Sequence, residues 1–310
     1  MALFAGFLLP LPTADDLRSS KEMAFFENVK SSYDEAFFFR KDLTVLDENY
    51  KRKPFFMHRE YASIKNENES TFLSLLQFLS KIRPEKDDVL VIVGGTWSYH
   101  QLKLVNGLFP NLELNLWSCK LSSCDFDPRL SFNVEKKYGF PTPETYSGAR
   151  VHVFSDFRSS HSFNILNDLE TQRVIVEACN PVTASVRFRP PYCKNSTVRE
   201  IEYFDGEITT TPYACASSTA VRIFFERRED GSYGKATYDV FEFDQILNHY
   251  NTEVRSLRIW EYKGKRMGFD DCYKSAILDD LVSSEREFEK LWTEIREACS
   301  FRRTAITPKL

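Results

Sequence analysis

"VLVIVGG", residues 89–95, decides the fold. Its apolar residues follow one another without alternation, so the segment has no polar face. It reads as a strand buried on both sides, and the Gly-Gly that ends it reads as a tight turn. Working outward, "YHQLKLVNGLF" (99–109) reads as a helix and "LELNLW" (112–117) as a second strand. "ARVHVFSDFRS" (149–159) reads as a strand ending at Asp156, "LNDLETQ" (166–172) as a helix, and "RVIVEAC" (173–179) as the next strand. Upstream, "ESTFLSLLQFLSKI" (69–82) is an amphipathic helix with Phe72, Leu75, Leu76, Leu79 and Ile82 on one face and Ser70 as its cap. This alternation predicts an α/β protein with a doubly wound, mostly parallel sheet flanked by helices. Such sheets take ligands at the carboxyl ends of their strands, where Gly94, Asp156 and Asn180 fall.

The remainder of the chain changes character. "REIEYFDGEITTTPY" (199–213) and "TAVRIFFERREDGSYGKATYDVF" (219–241) read as hairpin-like strands. From 241 the pattern is helical, with Phe243, Ile246 and Leu247 on one face. Residues 1–60 are irregular and charged, with aromatic clusters such as "AFFF" (36–39), and read as an extension packed on the core. Residues 61–310 then form a single domain that ends in a helical segment. The start, "MALFAGFLLPLPTADD", is apolar but lacks a positive flank and is cut by Pro10 and Pro12, so it is expected to be neither a signal peptide nor a membrane span.

Net charge and cysteine placement narrow the function. A net charge of −4 and a pI near 5.9 exclude a surface that is basic all over, so any nucleic-acid contact must come from a local patch. The seven cysteines form no CxxC pair, and the five histidines do not flank them at zinc spacing. Free thiols in a reducing compartment follow. "KGKR" (263–266) and the terminal "FRRTAITPKL" are short basic stretches that read as solvated ends, and the basic feature that stands out is "ACNPVTASVRFRPPYC" (178–193). Arg187 and Arg189 lie two apart on an extended piece and share a side, and Pro190-Pro191 fixes where the Tyr192 ring emerges. That pattern suits either a lip for a polyanion or a solvated face.

"FSDFRSSHS" (154–162), "CNPVTASVRFRPPY" (179–192), "PYACASSTAVRIF" (212–224) and "NTEVRSL" (251–257) resemble the poxvirus cap-specific mRNA 2′-O-methyltransferase family, whose protein is also the regulatory subunit of the viral poly(A) polymerase. The resemblance runs in one order over about 69–280. It implies a Rossmann-like, S-adenosylmethionine-dependent methyltransferase fold. The family's chemistry needs Lys, Asp, Lys and Glu, one lysine acting as base for the ribose 2′-hydroxyl. Here Asp156 keeps its place, Arg187 stands where the basic lysine should be, and Ala220 stands at the Glu position. Ser70 aligns with the first lysine, and Lys65 reaches that place only with inserted residues. A guanidinium accepts no proton at neutral pH.

The cofactor turn, Gly-x-x-Pro-Gly in the family, reads Gly94-Gly95-Thr96-Trp97-Ser98, and Lys120 replaces the usual ribose-binding acid. The RNA side is better kept: Tyr192 matches the aromatic that stacks on the cap, and Asp244 matches an acid on the guanine edge. Lys194 replaces a second such acid, while Arg158, Arg187, Arg189 and Arg222 remain as phosphate contacts. The expectation is a methyltransferase-like pseudoenzyme without S-adenosylmethionine. It binds capped or single-stranded mRNA or serves as a scaffold, partners a poly(A) polymerase catalytic subunit or other viral transcription and processing proteins, avoids membranes and works in the host cytoplasm (the viral factory) or the virion. The alternatives are an active cap 2′-O-methyltransferase using Lys65 and Asp156, and a virion structural protein.

Overall fold

A computed structural model describes residues 38–39, 67–117, 120–121, 134–137, 141, 144–146, 148–159, 165–191, 198–213, 221–249, 259–262 and 265–300. In chain order the elements are β1 (Phe38–Phe39), α1 (Glu67–Ile82), β2 (Val89–Gly94), β3 (Thr96–Trp97), α2 (Tyr99–Leu108), β4 (Glu113–Trp117), β5 (Lys120–Leu121), β6 (Val134–Lys137) and β7 (Val151–Asp156). There follow α3 (Ile165–Cys179), β8 (Thr183–Phe188), β9 (Glu200–Phe204), β10 (Glu207–Thr210), β11 (Val221–Glu226), β12 (Lys235–Asp239), α4 (Val240–His249), β13 (Ile259–Tyr262), β14 (Lys265–Gly268), α5 (Phe269–Asp279) and α6 (Glu285–Ser300).

The central sheet is mixed, in the order β1-β10-β11-β8-β7-β2-β4-β6. Strands β6, β4, β2, β7 and β8 run parallel, and β11 lies antiparallel against β8. Counted from β2, the parallel strands stand in the order 3-2-1-4-5, which is the doubly wound arrangement with its switch point between β2 and β7. Every residue of β2 and β7 is buried, as the continuous apolar run demanded. The two faces of β7 can be told apart by their partners. The Phe154 ring meets Phe78 of α1, and Ser155, pointing the other way, hydrogen-bonds Gln172 of α3. Helices therefore cover both faces. On the outside of the sheet, Phe38 and Phe39 pair antiparallel with Thr209 and Ile208.

Four sequence expectations are corrected. Residues 173–179 are the second half of α3, not a strand. Leu169, Gln172, Ile175, Val176 and Cys179 are buried at three- and four-residue spacing while Val174 is exposed, so the β-branched run sits on a helix and the strand comes later, at Thr183–Phe188. Asn180 is thus not at a strand's carboxyl end. It ends α3 in the left-handed region (φ 45°), with its N–H on the Val176 carbonyl. Ser70 lies inside α1, is buried, and donates to the Pro212 carbonyl instead of capping the helix. The two expected hairpins do not form. Strand β9 pairs with β12 in a separate ribbon while β10 pairs with β11 in the central sheet. The Asp205-Gly206 step is therefore a crossing between sheets. A Cβ on Gly206 would lie 2.2 Å from the Phe224 carbonyl, so only glycine fits there.

Candidate functional site

The site is built at the carboxyl ends of β7 and β8. Asp156 closes β7 and is buried. In register, Arg187 of β8 faces Arg222 of β11 directly. Like charges side by side on a sheet repel unless something neutralises them. Asp156 does so. Its Oδ1 lies 3.0 Å from Arg187 Nη1 and 3.5 Å from Arg222 Nη1, and its Oδ2 lies 3.3 Å from Arg158 Nη2. Burial pushes the Asp156 carboxyl up, but Arg187, Arg158 and Arg222 outweigh it and hold the group below the usual carboxylate range.

The three arginines differ in what remains for a ligand. Arg222 is the deepest. It donates from Nε to Ser185 Oγ (2.9 Å) and from Nη2 to the Ser155 and Ser185 carbonyls (2.7 and 2.8 Å), and its guanidinium lies 3.7 Å from the centre of the Phe154 ring. Burial, opposed by Asp156, pushes it down to about 9, so it stays charged at neutral pH. The sequence offered Arg222 as a phosphate contact, but only 3 % of it is exposed, and it serves as the counterion beneath the surface. Arg187 is only 16 % exposed in its side chain, and its Nε has no hydrogen-bond acceptor among the described residues. Arg158 is the most open of the three. Arg189 follows the last residue of β8 and is half-buried.

Gln172 was not singled out by sequence and ties the site together. Its Nε2 donates to the Arg187 carbonyl (2.8 Å), and its Oε1 accepts from Arg187 N–H (3.2 Å) and Ser155 Oγ (2.8 Å). A polar residue at a buried position on the apolar face of a helix was the available signal. A recess opens beside these groups, lined by Arg158, Arg187, Arg189, Leu169 and Gln172 among others. The two arginines of the RFR segment thus do meet at one surface.

The turn after β2 is filled by the protein itself. Gly94 and Gly95 both have positive φ (72° and 77°). A Cβ on Gly94 would lie 2.7 Å from Phe157 Cα, so the close approach that glycine permits is made by the Asp156–Phe157 backbone. Trp97 is buried, donates from Nε1 to the Gly94 carbonyl (2.9 Å), and covers Gly95. Beyond the turn, Thr96 pairs with Lys120 and Trp97 with Leu121, so the segments leaving β2 and β4 are joined. Ser98 caps α2 in a capping box with Gln101 and donates to the Ala298 carbonyl of α6 (2.9 Å).

The pattern of the poly A polymerase regulatory subunit family matches residues 32–297. The chain belongs to the poly(A) polymerase regulatory subunit family. No curated relative matches the chain. In this regulatory-subunit chain Asp244 is buried on α4, whose Phe243 packs edge-on against Phe188 of β8 at 5.2 Å. Lys65, Tyr192 and Ala220 lie outside the described residues. No group of three metal-ligating side chains occurs among the described residues, and no described helix is long and apolar enough to cross a membrane.

Proposed function

We propose that this regulatory-type chain is an RNA-contacting, non-methylating subunit that works with a poly(A) polymerase catalytic subunit. The observation that carries the reading is the guanidinium cluster on Asp156. Where the resemblance requires a proton acceptor, Arg187 presents a group that only donates, and it is already paired with the carboxylate. A cation cluster that opens on a recess at strand carboxyl ends suits phosphate contacts instead. The 3-2-1-4-5 order of the parallel strands supports a Rossmann-like methyltransferase origin.

A second line of support concerns the cofactor. In a doubly wound sheet the ligand crevice lies over the β2 turn. Here Trp97 occupies that turn, and the Thr96–Lys120 and Trp97–Leu121 pairs bridge the two strand ends next to it. S-adenosylmethionine would have to displace a buried indole and break this ladder. Isothermal titration of the whole chain with S-adenosylmethionine tests this. No binding is the expected result, and a dissociation constant in the low micromolar range, about −8 kcal/mol, would restore the methyltransferase reading. On the RNA side, replacing Arg187 and Arg189 by alanine should weaken single-stranded RNA binding and flatten its salt dependence by about one to two units of slope. Tyr192→Ala should cost about 1–3 kcal/mol with the slope unchanged, because stacking releases no counterions. Absence of any RNA affinity at low salt would remove the RNA role and leave a scaffold. The setting that fits is the host cytoplasm or the virion.

A further inference from the structure

Opposite charges line the recess at the ends of β7 and β8 without meeting across it. Asp168, in the first turn of α3, shares the lining with Arg158, Arg187 and Arg189. Its Oδ1 accepts from Ser159 N–H at 3.0 Å. Among the described residues that is its one hydrogen bond, and it forms no ion pair. Arg158 and Arg187 pair with Asp156 instead. The half-buried Asp168 therefore keeps an oxygen that no described group uses, and the Ser159 bond holds it in place before any ligand arrives.

This lining separates two kinds of ligand. A phosphate only accepts, so inside the recess it would gain from the guanidiniums and be repelled by Asp168. It would also have no use for the apolar surface that Phe157, Ile165 and Leu169 supply. A nucleobase carries N–H groups and acceptors on its edges and an apolar face. It can therefore use the carboxylate, the guanidiniums and the apolar surface at once. The space is about 410 Å³ with its open mouth counted, which admits one such ring.

We infer that the recess seats a nucleobase turned out of a single RNA strand, with Asp168 accepting from an N–H on its edge. The inference rests on the RNA reading above and narrows it, because the phosphates then stay on the arginine side. The test uses the full chain and short oligoribonucleotides of one length and charge, carrying adenine, cytosine, uracil or no base. They compete against a labelled single-stranded RNA at fixed ionic strength. Asp168→Asn keeps an oxygen for Ser159 N–H and removes the second one together with the charge. At least one base-bearing oligomer should then lose about tenfold in affinity, as one lost hydrogen bond to a charged acceptor gives. The abasic chain should not weaken. An unchanged thermal melt shows that the variant folds, and Asp168→Glu, which keeps the charge, should likewise weaken only base-bearing chains. A change shared equally by the abasic chain overturns the seat and leaves general RNA contact standing. Uniform tightening would be the mark of a phosphate, which gains when a neighbouring carboxylate goes. No change in any of the four also overturns it. If the parent binds no RNA, titration with free adenosine, cytidine and uridine decides. Binding that is lost in Asp168→Asn keeps the seat while the RNA reading falls, and no binding sinks both.

Discussion

The two ends of the central sheet each bury a carboxylate beside cations, and they use it differently. At the amino end, Asp88 accepts from Glu85 N–H (2.7 Å) and Arg150 Nη1 (3.1 Å), and it faces His152 Nε2 at 3.0 Å, while His152 Nδ1 meets Thr183 Oγ1 at 2.7 Å. Donors and acceptors there match, and His152 is fully buried. At the carboxyl end, three guanidiniums surround Asp156, Arg187 Nε has no acceptor among the described residues, and the cluster lies beside a recess. A balanced buried network is a fastening. A network in which one buried carboxylate holds three guanidiniums beside a recess is built to a different plan.

The sharpest way to break this comparison is to remove each carboxylate in turn. Asp156→Asn leaves the buried Arg222 without its counterion and should cost about 3–5 kcal/mol. Asp88→Asn should cost less, about 1–3 kcal/mol, the toll of leaving buried donors poorly matched. The reason is that Arg150 is 44 % exposed and can turn to water. Urea titrations of the two variants measure the difference, and equal losses would mean that the two ends are the same kind of structure.

The pH dependence sharpens the contrast further, because the two ends titrate in different windows. Burial pulls His152 below its ordinary value despite the bond to Asp88. Below about pH 6.5 an unfolded histidine takes a proton that the folded one refuses, so stability falls with pH there by at most about 1.4 kcal/mol per unit. Asp156, with its folded value depressed, contributes stability that is present above about pH 3.9 and lost as pH falls below it. Replacing His152 by Asn should remove the upper loss and keep the lower one. Superimposable profiles for the variant and the parent would take His152 out of the account.

The smallest effect belongs to the exposed face of α3. Arg173 pairs there with Glu170 at 2.5 Å and Glu177 at 3.1 Å, all three substantially exposed. Solvent screening limits such pairs, so Arg173→Ala should change stability by no more than about 0.5–1 kcal/mol. A larger loss in the melt would show that this face is not merely solvated.

The parallel half of the sheet was legible because VLVIVGG allows few other readings: an unbroken apolar run bounded by Gly-Gly cannot face water. The error at 173–179 has a physical origin. Val174, Ile175 and Val176 favour a strand locally, but the helix is set by what packs, and Gln172 was needed on its buried side to hold β7 and β8 together. The Asp-Gly at 205–206 carries a hairpin signal that ignores which sheet each strand joins, and only long-range pairing settles that. At the site, Asp156, Arg187 and Arg189 could be named from their places at strand ends. That Arg222 would be buried could not, because its environment comes from Phe154, Ser155 and Ser185, far away in the chain.

The crossing at Gly206 has a consequence for how the molecule opens. Strands β9 and β10 follow one another in the chain, as do β11 and β12, yet each pair is divided between two sheets. The ribbon and the central sheet also touch directly, since Phe204 of β9 stacks on Phe225 of β11 at 4.3 Å. Neither piece can peel away without dragging the other. Amide protons of Glu200–Phe204 and of Val221–Glu226 should therefore exchange with deuterium at one common rate, as a single cooperative unit.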